Sequence, residues 1–359
     1  MRILVLIDRP TPPSVQRDLA FIQQTMDSGR IQIEVCSLRG TSPLAQYALN
    51  ARSRFDLAAL MRLRRLVSYL EIELIHCLDL AALPVAAGAA LVAELPLLVS
   101  VYKVEGRRKE SWLPWTLFRW YWVAMRRIVT RILVPTEVTK RQLWLLTNFT
   151  RERIDIVYPP QEIPPDETYD RETYELPQGP LITVITPEEP DDGYDIIFEA
   201  VPRLTQRVPD VTFVFAGTHA ILVEWQRKMT RTRPAAPIRW VVDPPSLVPY
   251  VSLSDVIVAH PHREGWIAAL ALAALCGKPA VAARIGGVIE IVDTTVTGLL
   301  VTPDDVRDLS LQCTRLLTQP EFAARLGRHA KARAVEMFSP EKRQDSLMTL
   351  YEATIYSTR

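Results

Sequence analysis

The chain has 359 residues, more than one ordinary hydrophobic core supports and a fit for two domains of roughly 150 residues each. With 48% apolar and 23% charged residues it has the balance of a folded globular protein, which excludes a disordered chain, a coiled coil and a collagen. The net charge of +1 conceals a contrast: residues 1–165 hold 22 Lys and Arg against 15 Asp and Glu, and residues 166–359 hold 20 against 26. The basic first half suits an anionic surface or partner, or else two lobes that attract each other.

The opening MRILVLIDRP predicts a buried strand over Ile3–Ile7; a signal peptide would need a longer apolar region and a small-residue cleavage site. Strands are expected at Ile31–Ser37, Leu74–Cys77, Leu97–Tyr102, Ile132–Pro135 and Ile154–Tyr158. Phe55–Leu70 has apolar residues at helical spacing with Arg62, Arg64 and Arg65 between them, and Ala81–Ala93 reads as a helix between strands. Thr136 is placed to cap the helical pattern EVTKRQLWLL. The stretch from Leu80 to Val99 is broken by Pro84, Glu94 and Pro96, so no spanning helix is expected. Residues 159–180, PPQEIPPDETYDRETYELPQGP, read as a proline-rich linker, because proline suits neither a ladder nor a helix interior. The alternation then resumes, with strands at Leu181–Thr186, Val211–Ala216, Ile238–Val242, Val256–Ala259, Pro279–Ala283 and Leu299–Val301, and helices between them and to the end. The expected class is α/β: two Rossmann-like lobes with parallel sheets, 1–160 and 181–339, joined by residues 161–180.

Glycine is scarce, 13 residues, and proline abundant, 28; no G-x-G occurs, and Gly286-Gly287 is the one adjacent glycine pair. A glycine-rich loop that lets backbone approach a phosphate is therefore missing. Cys36, Cys77, Cys276 and Cys313 are far apart in sequence, as in a reduced, cytoplasmic protein.

Three segments of the second lobe, Ser254–Trp266 (SDVIVAHPHREGW), Ala274–Asp305 (ALCGKPAVAARIGGVIEIVDTTVTGLLVTPDD) and Gln319–Lys342, with LIHCLD and LVPTEVTKRQL in the first, resemble the glycosyltransferases of family 4, which have the GT-B fold. The resemblance covers almost the whole chain. It implies two Rossmann-like lobes facing a cleft, a final helix from about residue 340 that returns to the first lobe, and metal-independent, retaining transfer of a sugar from a nucleotide diphosphate. The leaving diphosphate gathers negative charge, so such a site needs donors and cations aimed at it.

Set against the family pattern, the donor-side groups are largely replaced. Ser14 and Val15 stand where a glycine pair is expected, beside Pro10, Pro12 and Pro13. In the stretch TPEEPDDG, Pro187 takes the place of the phosphate-binding arginine and Asp192 that of the lysine, with Glu188, Glu189 and Asp191 adding negative charge. A unit-charge pair at 4 Å is worth about 4 kcal/mol at an effective dielectric of 20, so a reversed charge repels what the family attracts. Glu264 keeps the first position of the family's E-x7-E pair, but the second, which holds the ribose hydroxyls, is Leu272; Ile267 replaces a glycine. Tyr102 and Leu78 stand where the family carries histidines, although His76 and Asp79 lie close by.

Glu264, with Asp79, is the remaining candidate for chemistry, and a helix-start carboxylate reads Glu264 equally well. Gly265, Trp266, His262, Arg263, Gly286, Gly287 and Glu290 are candidate donor contacts, though the glycines, like Gly277 and Gly298, also suit turns. His260, His262 and Arg263 form too small a set for a metal, and no metal is expected. Arg107–Arg131 mixes Trp112, Trp115, Trp120 and Trp122 with seven cations. It suits an anionic membrane surface or a protein partner, or a helix packing on its own sheet; nucleic acid is not expected. Two functions stay open. One is a family 4-like protein impaired in ordinary nucleotide-sugar transfer, acting as a non-catalytic partner of an active transferase or as a binding module. The other is an active retaining transferase moving a hexose from an unusual or nucleotide-diphosphate donor to a glycan or lipid acceptor, the only case that calls for a nucleotide sugar. The expected location is the cytoplasm, either free or peripheral on the inner face of the membrane.

Overall fold

The computed structural model describes the whole chain except residues 10, 27–28, 103–120, 162, 187–194, 233–234, 262–267 and 358–359. It divides into two compact units, Met1–Pro160 with Pro340–Arg359, and Gln161–Ser339.

In the first unit the short apolar runs become β1 (Arg2–Ile7), β2 (Gln32–Ser37), β3 (Tyr47–Ala48), β4 (Leu74–Cys77), β5 (Leu97–Ser100), β6 (Arg131–Val134) and β7 (Ile154–Ile156), in the order 3-2-1-4-5-6-7. Every described pairing is parallel. Strand side chains alternate between faces, so both sides must be covered. Ile3, Val5, Ile7, Leu74 and Leu98 face one core with α1 (Pro13–Thr25). Leu4, Leu6, Ile75, Cys77, Leu97 and Val99 face the other, with α2 (Leu57–Tyr69), α3 (Leu83–Ala93) and α4 (Glu137–Thr147). Capping sets two of the helix starts. Asp56 accepts from the Ala58 and Ala59 amides, and Thr136 accepts from the Thr139 amide.

The second unit repeats the plan with β8 (Leu181–Ile185), α5 (Asp195–Arg207), β9 (Thr212–Gly217), α6 (His219–Thr232), β10 (Ile238–Val242), α7 (Val248–Ser252), β11 (Val256–Ala259), α8 (Ala268–Leu275), β12 (Ala280–Ala283), α9 (Val288–Ile291), β13 (Gly298–Val301), α10 (Val306–Thr318) and α11 (Pro320–Phe338). Its strand order is 10-9-8-11-12-13, again parallel throughout. Within residues 163–180, Arg171, Tyr174 and Leu176 pack on this unit. Leu176 is buried, Tyr174 meets the Tyr250 ring edge-on at 5.4 Å, and Arg171 bonds the carbonyls of Pro177, Gln178, Gly179 and Leu253.

The last helix, α12 (Pro340–Tyr356), packs in the first unit, where Leu347, Leu350, Tyr351 and Ile355 join the core over β1, β4 and β5. In each sheet the winding reverses beside the first strand, between β1 and β4 and between β8 and β11. The carboxyl ends at such reversals are where doubly wound sheets take ligands.

Candidate functional site

The first-unit reversal is built from residues just beyond the strand ends. Asp8 follows β1 and is buried. Arg39, beyond β2, grips it with two nitrogens, Nε at 2.9 and 3.1 Å and Nη2 at 2.5 Å. Asp79 follows β4, and its Oδ1 accepts from the Ala81 amide at 2.9 Å. Burial first, and then the neighbouring Asp8 carboxylate, hold Asp79 above the usual carboxylate range; the Ala81 amide and the Arg54 and Arg39 guanidiniums oppose the rise. A carboxyl whose proton affinity is raised at a strand's carboxyl end is better suited to exchange a proton with a hydroxyl. Asp8 and Arg39 did not stand out in the sequence. The available signal was an aspartate closing the strand RILVLI and an arginine closing QIEVCSL.

The replaced positions of this unit are all built into the fold. Leu78 and Val15 are buried in the core, and Ser14 lies in the first turn of α1, a helix start with no capping side chain. Tyr102, beyond β5, donates its hydroxyl to Asp18 Oδ2 at 2.6 Å. Asp18 in turn pairs with Arg343 of α12 at 2.9 Å, both side chains only 4% exposed. Arg343 also donates to the Tyr158 carbonyl and lies over the Phe21 ring. Burial, then the Asp18 charge, push the Tyr102 hydroxyl well above its ordinary value, so it is held as a neutral donor. His76 points into the protein: one ring nitrogen lies 3.0 Å from the Tyr351 hydroxyl and the other 2.9 Å from Ser100 Oγ. Burial pushes it down to about 3, so it is a neutral core histidine.

In the second unit the carboxyl ends bring together Thr186, Gly217, Thr218, His219, Asp243, His260, Gly286, Gly287 and Asp304. Thr186 Oγ1 accepts from the Thr218 amide at 3.2 Å, and Asp243 Oδ1 accepts from the His219 amide at the start of α6 at 2.9 Å. Gly217 has φ +148°, and a Cβ there would lie 1.8 Å from Thr186 Oγ1, so no other residue fits without displacement. His260 is fully buried, and its Nε2 accepts from the Asp304 amide at 3.3 Å, leaving the other ring nitrogen to carry the proton. Gly286, at φ +41°, and Gly287 turn the chain into α9, which carries Glu290. Arg333 of α11 donates to the Glu290 carbonyl at 2.9 Å. Leu272 is half-buried on α8.

The remaining expected residues, His262, Arg263, Glu264, Gly265, Trp266, Ile267, Pro187 and Asp192, lie outside the described residues, as does most of Arg107–Arg131. Of that basic segment, Trp122 is buried and meets Phe149 edge-on at 6.0 Å, so it is core. Among the described residues no group of three or more His, Cys, Asp or Glu is placed to hold a metal, and no helix is long and apolar enough to cross a membrane.

Two family models match the chain: glycosyltransferase family 4 over residues 25–161 and glycosyl transferases group 1 over residues 180–319. A curated relative, the GDP-mannose-dependent alpha-(1-6)-phosphatidylinositol monomannoside mannosyltransferase of Mycolicibacterium smegmatis, is 26% identical over 74% of this chain and 72% of its own length. The D-inositol 3-phosphate glycosyltransferase of Saccharomonospora viridis is 27% identical over 64% of this chain and 57% of its own. The chain thus spans between about half and three-quarters of the length of such relatives. Among solved structures, Anabaena Alr3699/HepE in complex with UDP and glucose superposes with a TM-score of 0.81 at 18% identity, over 98% of this chain and 100% of that one. A glycosyltransferase from Rickettsia africae reaches 0.85 at 14% identity, over 99% and 98%. With both of its parallel-sheet units matched in order and the fold shared along nearly the whole length, the chain belongs to the GT-B glycosyltransferases of family 4.

Proposed function

We propose that this family 4 chain is impaired in ordinary nucleotide-sugar transfer and acts as a non-catalytic partner or binding module. The observation that carries this reading is Tyr102. Where the family resemblance expects a histidine near the donor sugar, this chain has a phenol whose hydroxyl is consumed by the buried Asp18–Arg343 pair. Leu78 and Val15 support it, since each puts a buried apolar side chain where the pattern calls for a polar or open position. The acidic run Glu188–Asp192 and Leu272 add a repelled diphosphate and a ribose without an acceptor.

A second reading, active transfer to a glycan or lipid acceptor, is favoured by Asp79, whose raised carboxyl at the first sheet's carboxyl edge suits proton exchange with an acceptor hydroxyl. Of the curated relatives, one is named for transfer to a phosphatidylinositol monomannoside and another as a D-inositol 3-phosphate glycosyltransferase. Transfer assays on the native chain and on Asp192→Lys and Leu272→Glu separate the two. Under impaired transfer the native chain is inactive and neither single change restores activity, because several groups are missing together. Activity of the native chain, or its full rescue by one change, contradicts it.

We infer further that the protein works at an anionic lipid surface. In support, the loop before α2 and the outer face of that helix expose Phe55 (78%) and Leu57 (71%), and Met61 more modestly, among Arg52, Arg54, Arg62, Arg64 and Arg65. The acid in their midst, Asp56, caps the helix and pairs with Arg62 at 3.7 Å, which leaves Arg52, Arg54, Arg64 and Arg65. Exposed apolar side chains ringed by arginines fit a headgroup layer: the apolar groups enter and the guanidiniums meet phosphate.

A further inference from the structure

The motif Cys276-Gly277-Lys278-Pro279 contains a lysine that no donor-side role uses. Lys278 comes just before β12, so it stands at the amino edge of the second sheet, opposite the carboxyl ends that carry Gly286, Gly287 and His260. A cavity of about 560 Å³ opens at that edge, walled by the residues leading into β8, β11 and β12, by the end of α10 and by the first turns of α11. This is within the size range of small-ligand sites, roughly 300–1,000 Å³.

Its charge is one-sided. The charged residues lining it are Arg171, Lys278, Arg328 and Asp255. Two of these already satisfy each other and the backbone. Asp255 Oδ2 accepts from the Leu181 amide at 2.8 Å and from Arg171 Nη2 at 3.2 Å, and Arg171 also donates to four carbonyls. That leaves Lys278 and Arg328, neither within salt-bridge distance of a carboxylate among the described residues. The start of α11 adds to this field. Pro320 occupies its first position, no side chain caps its amides, and helix starts carry partial positive charge, offset in part here by Glu321 in the first turn. Gly277, at φ +70°, turns the chain here, with the Lys331 stem alongside. Burial holds Lys278 below its ordinary lysine value, with the Arg171 charge adding to the fall and the Asp255 carboxylate opposing it in part.

We propose that this cavity binds the phosphate group of a small phosphate ester, held by the Lys278 ammonium and the Arg328 guanidinium at the first turn of α11. A phosphate dianion matches the excess of cations on the lining, Arg171, Lys278 and Arg328 against Asp255, and the apolar residues Leu316, Leu317 and Ala323 accept the carbon skeleton. The occupant would not compete with a ligand at the carboxyl ends. It would still be linked to them, because α11 lines the cavity with Arg328 and holds the Glu290 carbonyl with Arg333.

The test is calorimetric titration of the full chain with inorganic phosphate, with glucose 6-phosphate and with glucose, at constant ionic strength. It reads binding alone and does not depend on whether the protein transfers sugar. Expected is saturable binding of both phosphate compounds with dissociation constants of about 1 mM or tighter, and none of glucose. Lys278→Gln and Arg328→Gln should each weaken binding about tenfold, while Arg227→Gln on the exposed face of α6 leaves it unchanged. Arg328 is exposed, so its variant reports even if the Lys278 variant folds poorly. Absence of saturable phosphate binding overturns the proposal. So does binding that both glutamine variants retain, or binding of free phosphate with exclusion of the ester.

Discussion

Acid should destabilise the first unit through one residue, His76. It lies in β4 with no solvent exposure, between the Tyr351 hydroxyl of α12 and Ser100 Oγ of β5. Burial, with the Arg343 charge adding to it, pushes its folded value down to about 3, against about 6.5 in an unfolded chain. The folded value is the lower one, so between these limits the unfolded chain binds a proton that the folded chain refuses. Stability is therefore complete above about pH 6.5 and falls as the pH drops toward 3, by about 1.4 kcal/mol per pH unit from this group. From pH 6.5 to 5 that amounts to about 2 kcal/mol, a sizeable share of a domain's net stability. The assay is urea unfolding followed by circular dichroism at pH 7.5 and pH 5.0, on the native chain and on His76→Gln. Glutamine still bonds both hydroxyls but has no proton to gain. The variant should be less stable at pH 7.5 by about 1–3 kcal/mol, from imperfect packing and bonding. It should also lose about 2 kcal/mol less than the native chain on going to pH 5.0. Equal pH dependence in the two proteins would refute a neutral, buried His76.

Three other outcomes follow from the same geometry. Arg343→Met strands the Asp18 carboxylate, which is 4% exposed, and should cost about 3–5 kcal/mol in urea unfolding, whereas Tyr102→Phe removes one hydrogen bond to that carboxylate and should cost about 1–2 kcal/mol. Gly217→Ala forces a Cβ onto Thr186 Oγ1 at a positive φ and should destabilise the second unit by about 2–4 kcal/mol; a thermal midpoint equal to the native one would contradict the tight β8–β9 contact. In sedimentation with vesicles, the chain should bind phosphatidylglycerol-containing bilayers but not pure phosphatidylcholine; Phe55→Ser with Leu57→Ser, or Arg64→Glu with Arg65→Glu, should abolish the binding, and its persistence in both would remove α2 as the contact.

The strands and their parallel order were legible because buried parallel strands are short unbroken apolar runs separated by amphipathic helices, as in Ile3–Ile7 and Val256–Ala259. The Thr136 cap was legible because its partner is three residues away. Short elements such as β3 and α9 carry too few residues to show a period. The replaced positions could be named in the sequence, but their fate could not. Nothing local in LLVSVYK says that Tyr102 will meet an aspartate 84 residues earlier and, through it, an arginine at residue 343. Likewise His76 and Asp79 lie close together in sequence, yet the histidine stands within β4, a strand buried on both faces, and the aspartate lies beyond the strand's end. The basic segment Arg107–Arg131 drew attention through its tryptophans. Composition does not tell which aromatics face inward, and Trp122 does, whereas the exposed apolar groups among arginines stand on the loop and helix around Phe55 and Leu57.

Calorimetric titration with a panel of nucleotide diphosphates and their sugars tests most directly whether this chain grips an activated sugar. The expected result is no binding tighter than about 1 mM for any member of the panel. Micromolar binding of one of them, with its diphosphate contacting arginines or lysines of this chain, would contradict it.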